Sequence, residues 1–203
     1  FPVNNLCLAG GAVANVIMNY KIWEKTPFKN MYIVPPMGDE GAAAGAAIIA
    51  AINAGENLKW LRDKEMPYFG TSFSREEVLN EIDNFSSINY EDLSENWADE
   101  AAKSVCSNNV IAIFHGRMEF GPRALGNRSI IANASDQGAR DKINSTIKRR
   151  PAYQPFCPTV LESERERLFD NTFKHKHMAT AFKMKQEFQK ALPSGIHVDG
   201  TAR

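Results

Sequence analysis

Short apolar runs alternate with segments of helical periodicity along this chain, and this alternation predicts an α/β protein. In the first third, the pattern predicts a strand over residues 3–9, a helix over 12–24, a strand over 31–34 and an Ala-rich helix over 42–54. The first strand and helix are separated by Gly10-Gly11, so this region is predicted to be a strand, a tight turn and a helix.

Residues 55–74 show no sustained periodicity, and we place the boundary between two lobes there. A helix is predicted over 74–85, where Ser74 and Glu77 have the spacing of a capping box. The remaining pattern predicts strands over 88–90, 110–114 (buried), 128–133, 156–161 and 178–183, and helices over 96–107, 135–150 (capped by Ser135 or Asp136), 162–169 and 187–192.

The composition narrows the class of protein. The chain has 203 residues, 43% of them hydrophobic, and its 24 Lys and Arg balance 24 Asp and Glu. A neutral chain argues against binding to bulk nucleic acid or to a membrane surface, and no apolar run reaches the roughly 18 residues of a membrane span. The widely spaced Cys7, Cys106 and Cys157 predict reduced, buried thiols in a cytoplasmic protein. Phe1 and Arg203 are expected to be cuts through a longer chain.

The strongest chemical signal is the segment 116–130, GRMEFGPRALGNRSI, which directly follows an apolar run. Glycines allow backbone amides to approach a ligand, and arginine forks match the oxygens of phosphates and carboxylates. From Arg117 to Arg150 the chain has eight Lys or Arg against three Asp or Glu. This local excess predicts an anion site, with a solvated basic face as the alternative.

Two further features have more than one interpretation. The Gly10-Gly11 turn before a helix can hold a phosphate or can simply allow close packing of strand and helix. Asp39 can cap the Ala-rich helix, ligate a metal or face a phosphate.

Five motifs in one order carry a resemblance that covers nearly the whole chain. They are LAGGAVAN (8–15), PPMGDEGAAAGAA (35–47), GRMEFGPRALGNRSI, DKINSTIKRRPAYQPFCPTVL (141–161) and HVDGTAR (197–203). Together they closely resemble the C-terminal part of the O-carbamoyltransferases typified by nodulation protein U and by antibiotic carbamoyltransferases.

The resemblance implies two modules. Residues 1–70 are similar to the C-terminal piece of an actin-like (ASKHA) carbamoyl-transfer domain, and residues 74–203 resemble a YrdC-like domain with a mixed twisted sheet. In such proteins the YrdC-like domain converts carbamoyl phosphate and ATP into carbamoyl adenylate. The actin-like domain then transfers the carbamoyl group to a hydroxyl of a small molecule or sugar, beside Fe(II) or another divalent metal.

Site residues follow from the same resemblance. In the first module, Gly10, Gly11 and Asn15 match the nucleotide-side turn, and Asp39 matches one ligand of the metal site, whose two histidines are not among His115, His175, His177 and His197. In the second module, we expect Arg117, Glu119, Arg123 and Arg128 in the catalytic loop, with Glu119 orienting an arginine. Further binding residues are expected among Lys142 and Lys148 (phosphate), Asn144 (carbamoyl or ribose), Arg150, and His197, which closes the pocket.

The residues also leave two alternatives. One is a YrdC-like nucleotide- or RNA-binding module without transferase activity, although aromatic residues do not interleave with the basic segment as stacking platforms would. The other is a sugar or nucleotide kinase of the actin-like class, which would not account for the arginine loop. A chain that lacks the upstream part of the transfer domain is expected to activate carbamoyl phosphate at most, without completing transfer and without binding metal tightly.

Overall fold

A computed structural model describes residues 3–63 and 66–203 of the chain. At its start, β1 (Asn5–Leu8) pairs in parallel with β2 (Asn30–Ile33), from Asn5 opposite Asn30 to Leu8 opposite Ile33. The connection contains a 3₁₀ turn (Gly11–Ala14) and helix α1 (Val16–Lys25). The helix begins later than predicted because Asn15 is extended and caps it, accepting the Met18 N–H at 3.0 Å.

The predicted helices up to residue 107 are confirmed. Helix α2 spans Asp39–Asn53, and after a 3₁₀ turn (Lys59–Asp63) helix α3 spans Arg75–Asp83. The capping box is present: Ser74 Oγ accepts the Glu77 N–H at 3.2 Å, and Glu77 accepts the Ser74 N–H at 2.7 Å. A second 3₁₀ turn (Ser94–Asn96) leads into helix α4 (Trp97–Cys106). The strand predicted over 88–90 is wrong, since Ile88 and Tyr90 are exposed and have no partner strand.

The arginine-rich segment lies between two strands, as the apolar pattern predicted. Strand β3 (Ile111–Phe114) pairs antiparallel with β4 (Arg128–Ile131). β3 is only half-buried, because Phe114 at its end is 62% exposed. The predicted helix 135–150 is shorter, with α5 (Ala139–Lys142) followed by a π-helical turn (Ile143–Lys148). Asp136 accepts the Gly138 N–H at 2.9 Å and so forms a turn before the helix.

The C-terminal third contains a three-stranded antiparallel sheet. Its strands are β5 (Phe169–Asp170), β6 (Phe182–Met184) and β7 (Thr201–Ala202), in that order. A 3₁₀ turn (Glu162–Glu164) and α6 (Arg165–Leu168) precede it, and α7 (Gln186–Gln189) follows β6. The strand predicted over 156–161 is wrong, because Pro155 and Pro158 lack the N–H groups that a sheet requires.

The main core joins the N-terminal segment to residues 173–182. Val13, Met31, Ile33 and Met37 pack around Ala179, and Val16 and Tyr20 of α1 pack around Ala181. Asn19 is fully buried between them, and its Nδ2 donates to the carbonyls of Val13 and Ala179, both at 2.7 Å. Residues 6–37 therefore share a core with residues 173–182.

The exposure of the cysteines and the hydropathy of the helices can be compared with the sequence analysis. Cys7 and Cys106 are exposed and Cys157 is half-buried, so the predicted burial of the first two thiols is wrong. The described part of the chain contains no helix with the length and hydropathy needed to cross a membrane.

Candidate functional site

The loop between β3 and β4 is organised around one carboxylate. Glu119 is only 7% exposed, and its Oε1 accepts the backbone N–H groups of Leu125, Asn127 and Arg128 at 2.6, 2.8 and 3.3 Å. Burial raises the pKa of this carboxyl, but the backbone hydrogen bonds outweigh it and hold the pKa below its ordinary value. Glu119 thus holds the loop through backbone amides, whereas the sequence analysis expected it to orient an arginine.

Two arginines of this loop contact main-chain carbonyls. Arg128 donates from Nη1 to the carbonyl of His115 at 2.8 Å, and its guanidinium lies 3.6 Å from the centroid of the Phe114 ring. Arg117 donates to the carbonyl of Phe69 at 3.2 Å. These contacts place both side chains beside the start of the loop, and their role as phosphate ligands stays a prediction.

Arg123 connects the loop to the turn after β1. Its Nη2 lies 3.4 Å from the carbonyl oxygen of Ala14, at the end of the 3₁₀ turn that follows Gly10. The loop approaches closely here because Gly121, with φ of 132°, lies against the backbone of Pro35. The arginine loop and the Gly10-Gly11 turn, which the sequence analysis assigned to different modules, therefore lie together.

Arg123 is accompanied by Arg203, the last residue of the HVDGTAR motif. The Nε atoms of both arginines are buried and have no hydrogen-bond partner. Both guanidinium groups act on Cys157: burial raises the pKa of this thiol, and the positive charges of Arg203 and Arg123 oppose that rise. The Nε–H groups of Arg123 and Arg203 are thus two donors without partners, carried by cations beside Cys157. Such a pair is suited to binding an anion.

A third arginine reaches the same segment from the π-helical turn. Arg150 lies with its guanidinium 4.6 Å from the centroid of the Phe156 ring, and its Nε donates to Asn144 Oδ1 at 2.7 Å. Buried Asn144 also donates to the carbonyl of Gln154 at 2.9 Å. Phe156 directly precedes Cys157, so Arg150 contacts the residue next to the one on which Arg123 and Arg203 act. Lys142 and Lys148 are exposed, and no contact described for them joins this group.

His197 lies in a tight turn before β7. Its Nδ1 is 3.2 Å from Asp199 Oδ1 without the geometry of a hydrogen bond, and the same oxygen accepts the N–H and the hydroxyl of Thr201 at 3.0 and 2.7 Å. Although burial raises the pKa of Asp199, the hydrogen bonds from Thr201 and the proximity of His197 hold that pKa below its ordinary value. The turn positions Thr201 and Ala202 in β7 and thereby Arg203 beside Cys157.

The residues assigned to nucleotide and metal are placed as follows. Gly10, with φ of 100°, and Gly11 have open space where a side chain would be, whereas Asn15 is used as the α1 cap. Asp39 is the first residue of α2, whose N-cap is Gly38, so the capping interpretation of Asp39 is wrong. In residues 3–63 and 66–203 no three His, Cys, Asp or Glu side chains are grouped to hold a metal.

Two residues of this region were missed by the sequence analysis. Arg203 lies in the HVDGTAR motif but was assigned no role, although an arginine that ends a family motif is a usable signal. Asn19 lies within an ordinary helical pattern, and nothing in the local sequence marks it.

Comparison with known families decides the class of protein. The family model described as "Carbamoyltransferase C-terminus" matches residues 102–203, and the one described as "Carbamoyltransferase N-terminus" matches residues 1–48. The chain belongs to the carbamoyltransferase family. This membership favours carbamoyl transfer over the nucleic-acid-binding and kinase alternatives, and it agrees with the order of the five motifs.

Relatives of this carbamoyltransferase chain are longer proteins. An uncharacterized protein of Methanocaldococcus jannaschii is 58% identical over 206 residues, which cover 100% of this chain and 34% of the relative. Nodulation protein NolO of Bradyrhizobium diazoefficiens is 33% identical, with 99% of this chain and 37% of the relative covered. Nodulation protein U of Azorhizobium caulinodans is 28% identical, with 98% and 33% covered. The chain spans about a third of the length of these relatives.

Proposed function

We propose that this carbamoyltransferase chain binds carbamoyl phosphate and ATP and forms carbamoyl adenylate, from which the whole protein transfers the carbamoyl group to a hydroxyl of a small molecule or sugar. The observation that carries the proposal is the pair Arg123 and Arg203, whose buried Nε atoms lack partners beside Cys157. Carbamoyl phosphate is a small dianion whose oxygens can accept such donors in pairs.

The proposed chemistry requires cations, and Arg123 and Arg203 supply two of them beside Cys157. Hydrolysis of carbamoyl phosphate gives phosphate and carbamate, and a carbamate oxygen then attacks the α-phosphorus of ATP while pyrophosphate leaves. Negative charge grows on the phosphoryl oxygens during this attack, and fixed guanidinium groups stabilise it. Arg123, Arg150 and Arg203 are the candidates for this role, and Glu119 keeps the loop that carries Arg123 in shape.

The position of the Gly10-Gly11 turn supports a second contact, between this turn and the nucleotide or its product. Arg123 lies against Ala14 at the end of the Gly10–Ala14 turn, so a group bound at the arginines would be near that turn. This proximity fits passage of an activated carbamoyl group from a YrdC-like module to an actin-like one. That division of the fold, Asp39 as a ligand for iron, and the acceptor hydroxyl remain parts of the proposal.

Calorimetric titration with carbamoyl phosphate tests the anion site. Arg123→Ala and Arg203→Ala are each expected to weaken binding by about tenfold or more, since a charged hydrogen bond to an anion contributes about 2 kcal/mol. Arg167→Ala is the control, because Arg167 pairs with Glu164 in an exposed position outside the site. Equal affinity in the wild type, in both site variants and in the control would contradict the proposal.

A second assay tests the activation step itself. Pyrophosphate release should require both ATP and carbamoyl phosphate and should fall strongly in Arg203→Ala. Pyrophosphate released from ATP at the same rate without carbamoyl phosphate would point to a different reaction.

A further inference from the structure

The side chain of Asn144 is buried, and its hydrogen-bonding groups bind its own chain. Asn144 is 1% exposed. Its Nδ2 donates to the carbonyls of Gln154 at 2.9 Å and Ala152 at 3.4 Å, and its Oδ1 accepts the Nε–H of Arg150 at 2.7 Å. An amide nitrogen has two protons to donate, and both are used here. A ligand therefore cannot accept a hydrogen bond from Asn144 unless the turn 150–154 first opens.

The main chain of Asn144 holds the same neighbour. Its carbonyl accepts the N–H of Arg150 at 3.0 Å and also the N–H of Arg149, which follows the π-helical turn. Arg149 has φ of 47° and ψ of 49°, a left-handed conformation that is uncommon for residues other than glycine. Backbone strain of this kind persists where the surrounding contacts impose it, and π-helical turns are frequent at functional sites. Asn144 thus holds both the backbone and the side chain of Arg150.

These contacts determine which atoms of Arg150 can bind an anion. Within the part of the chain that the structure describes, Nε is the only guanidinium nitrogen of Arg150 that donates to a protein group. The guanidinium also lies 4.6 Å from the centroid of the Phe156 ring, and this contact restricts its orientation. Since Nε is held by Asn144, the Nη1 and Nη2 groups can donate together to two oxygens of one anion.

We propose that Asn144 is a positioning residue for the activation step: it orients the Nη groups of Arg150 toward the anion and does not contact the anion itself. This inference rests on the proposed function, because it assumes that Arg150 binds carbamoyl phosphate. It differs from the sequence analysis, which expected Asn144 to bind the carbamoyl group or ribose. Without the Asn144 side chain, Arg150 would lose more conformational freedom when the anion binds, and affinity would fall.

A double-mutant cycle on carbamoyl phosphate binding, measured by calorimetry, tests this role. Asn144→Ala should weaken binding by about fivefold, the effect of one hydrogen bond, and Arg150→Ala by about tenfold or more. Because Asn144 acts only through Arg150, the double variant should bind as Arg150→Ala does, within about twofold. If Asn144 contacted the anion directly, the two losses would multiply to about fiftyfold or more, and that result would overturn the proposal.

Further variants separate positioning from a general loss of structure. Arg150→Lys keeps the positive charge but has a methylene in place of Nε–H, so adding Asn144→Ala to it should not weaken binding further. A disturbed fold would weaken binding in this background as well and would overturn the proposal. Asn144→Ser, whose shorter side chain cannot bond both Arg150 and Gln154, repeats the cycle if the alanine variant is unstable.

Ser145→Ala is the matched control for the π-helical turn. Ser145 follows Asn144, is exposed and donates to the Asp141 carbonyl at 2.8 Å, so the change removes a neighbouring hydrogen bond without touching Arg150. Carbamoyl phosphate affinity should be unchanged in this variant. A loss as large as that in Asn144→Ala would show that the turn as a whole determines affinity and would overturn the specific role of Asn144.

The pyrophosphate assay supplies an independent readout. The loss in Asn144→Ala should be divided between KM and kcat in the same proportion as the loss in Arg150→Ala, because both variants weaken the same contact to the anion. A different division would overturn the positioning role.

Failure of this inference and failure of the proposed function give different results. Unchanged affinity in Asn144→Ala, together with weaker binding in Arg123→Ala and Arg203→Ala, would overturn the positioning role alone. Unchanged affinity in Arg150→Ala would also overturn it, because the residue that Asn144 orients would not bind the anion. A wild type that does not bind carbamoyl phosphate would overturn the proposed function and this role together.

Discussion

Glu119 accepts the backbone N–H of Leu125 at 2.6 Å, across the loop that carries the arginines. The same oxygen accepts two further amides, so a single buried carboxylate determines the path of the chain from Glu119 to Arg128. Main-chain amides grouped around one carboxylate are a stable way to hold a loop rich in glycine, because each amide would otherwise lack a partner.

Glu119→Ala is expected to lower the free energy of unfolding by about 3 kcal/mol, since it leaves several amides without their charged acceptor. Glu119→Gln keeps one acceptor oxygen and should cost less. Glu56→Ala, at an exposed position, is the control and should change stability by no more than about 0.5 kcal/mol. Urea denaturation measures all three, and similar values for Glu119→Ala and Glu56→Ala would contradict the structural role.

His175 predicts a dependence of stability on pH. Its Nε2 accepts the Ala179 N–H at 3.0 Å, and burial, together with the neighbouring His177, lowers its pKa to about 4. The unfolded chain, with a histidine pKa near 6.5, therefore binds this proton more tightly than the folded chain. Stability is fully present above pH 6.5 and should decrease as the pH falls toward 4, by up to about 1.4 kcal/mol per pH unit.

Denaturation of wild type and His175→Gln from pH 7 to 4.5 measures this contribution. The variant should show a smaller decrease, because it has no proton to bind, whereas exposed His115→Gln should behave as the wild type does. The same slope in wild type and His175→Gln would show that other groups determine the acid response.

Asn19→Ala is expected to destabilise the protein by about 2–4 kcal/mol. The change leaves the carbonyls of Val13 and Ala179 without donors in the core and also creates a small cavity. Asn30→Ala provides a comparison, because Asn30 bonds Asn5 at an exposed site and should contribute little. Equal denaturation midpoints for the two variants would mean that the buried amide does not link the two segments.

Substitution of Gly121 and of Gly126 by alanine distinguishes the effect of backbone strain from that of steric contact in the arginine loop. Both have positive φ, 132° and 112°, but a Cβ at Gly121 would lie 2.9 Å from the Pro35 carbonyl oxygen, whereas at Gly126 nothing lies within 4 Å. Gly126→Ala should cost about 1–3 kcal/mol from backbone strain alone, and Gly121→Ala should cost more because the loop must move away from Pro35. Equal losses on thermal unfolding would show that this close approach is unimportant.

The elements with strong local signals could be predicted from the sequence. The Ser74 and Glu77 capping box and the Gly-Gly turn depend on interactions within a few residues, and the two strands around the arginine loop are marked by their own apolar runs. The prediction of a strand over 156–161 was wrong because it relied on the apolar residues and gave too little weight to Pro155 and Pro158. The late start of α1 depends on Asn15, which sequence spacing did not distinguish from a helical residue.

The site was predictable in composition but not in arrangement. Arg117, Arg123 and Arg128 were recognisable as a basic cluster, yet two of them bond carbonyls near the loop start while Arg123 turns toward Ala14. Arg203 joins Arg123 only because the last strand returns to the same region, some 80 residues later in the chain. Contacts between distant residues of this kind cannot be deduced from spacing.

The core shared by residues 6–37 and 173–182 has a consequence for protein engineering. A chimera that joins this chain to another family member at residues 70–74 would divide this core and leave Ile33 and Ala179, both fully buried here, facing foreign side chains. A design that transplants residues 3–40 together with 173–182 would keep the two surfaces matched, so the natural exchange unit comprises two pieces separated in sequence.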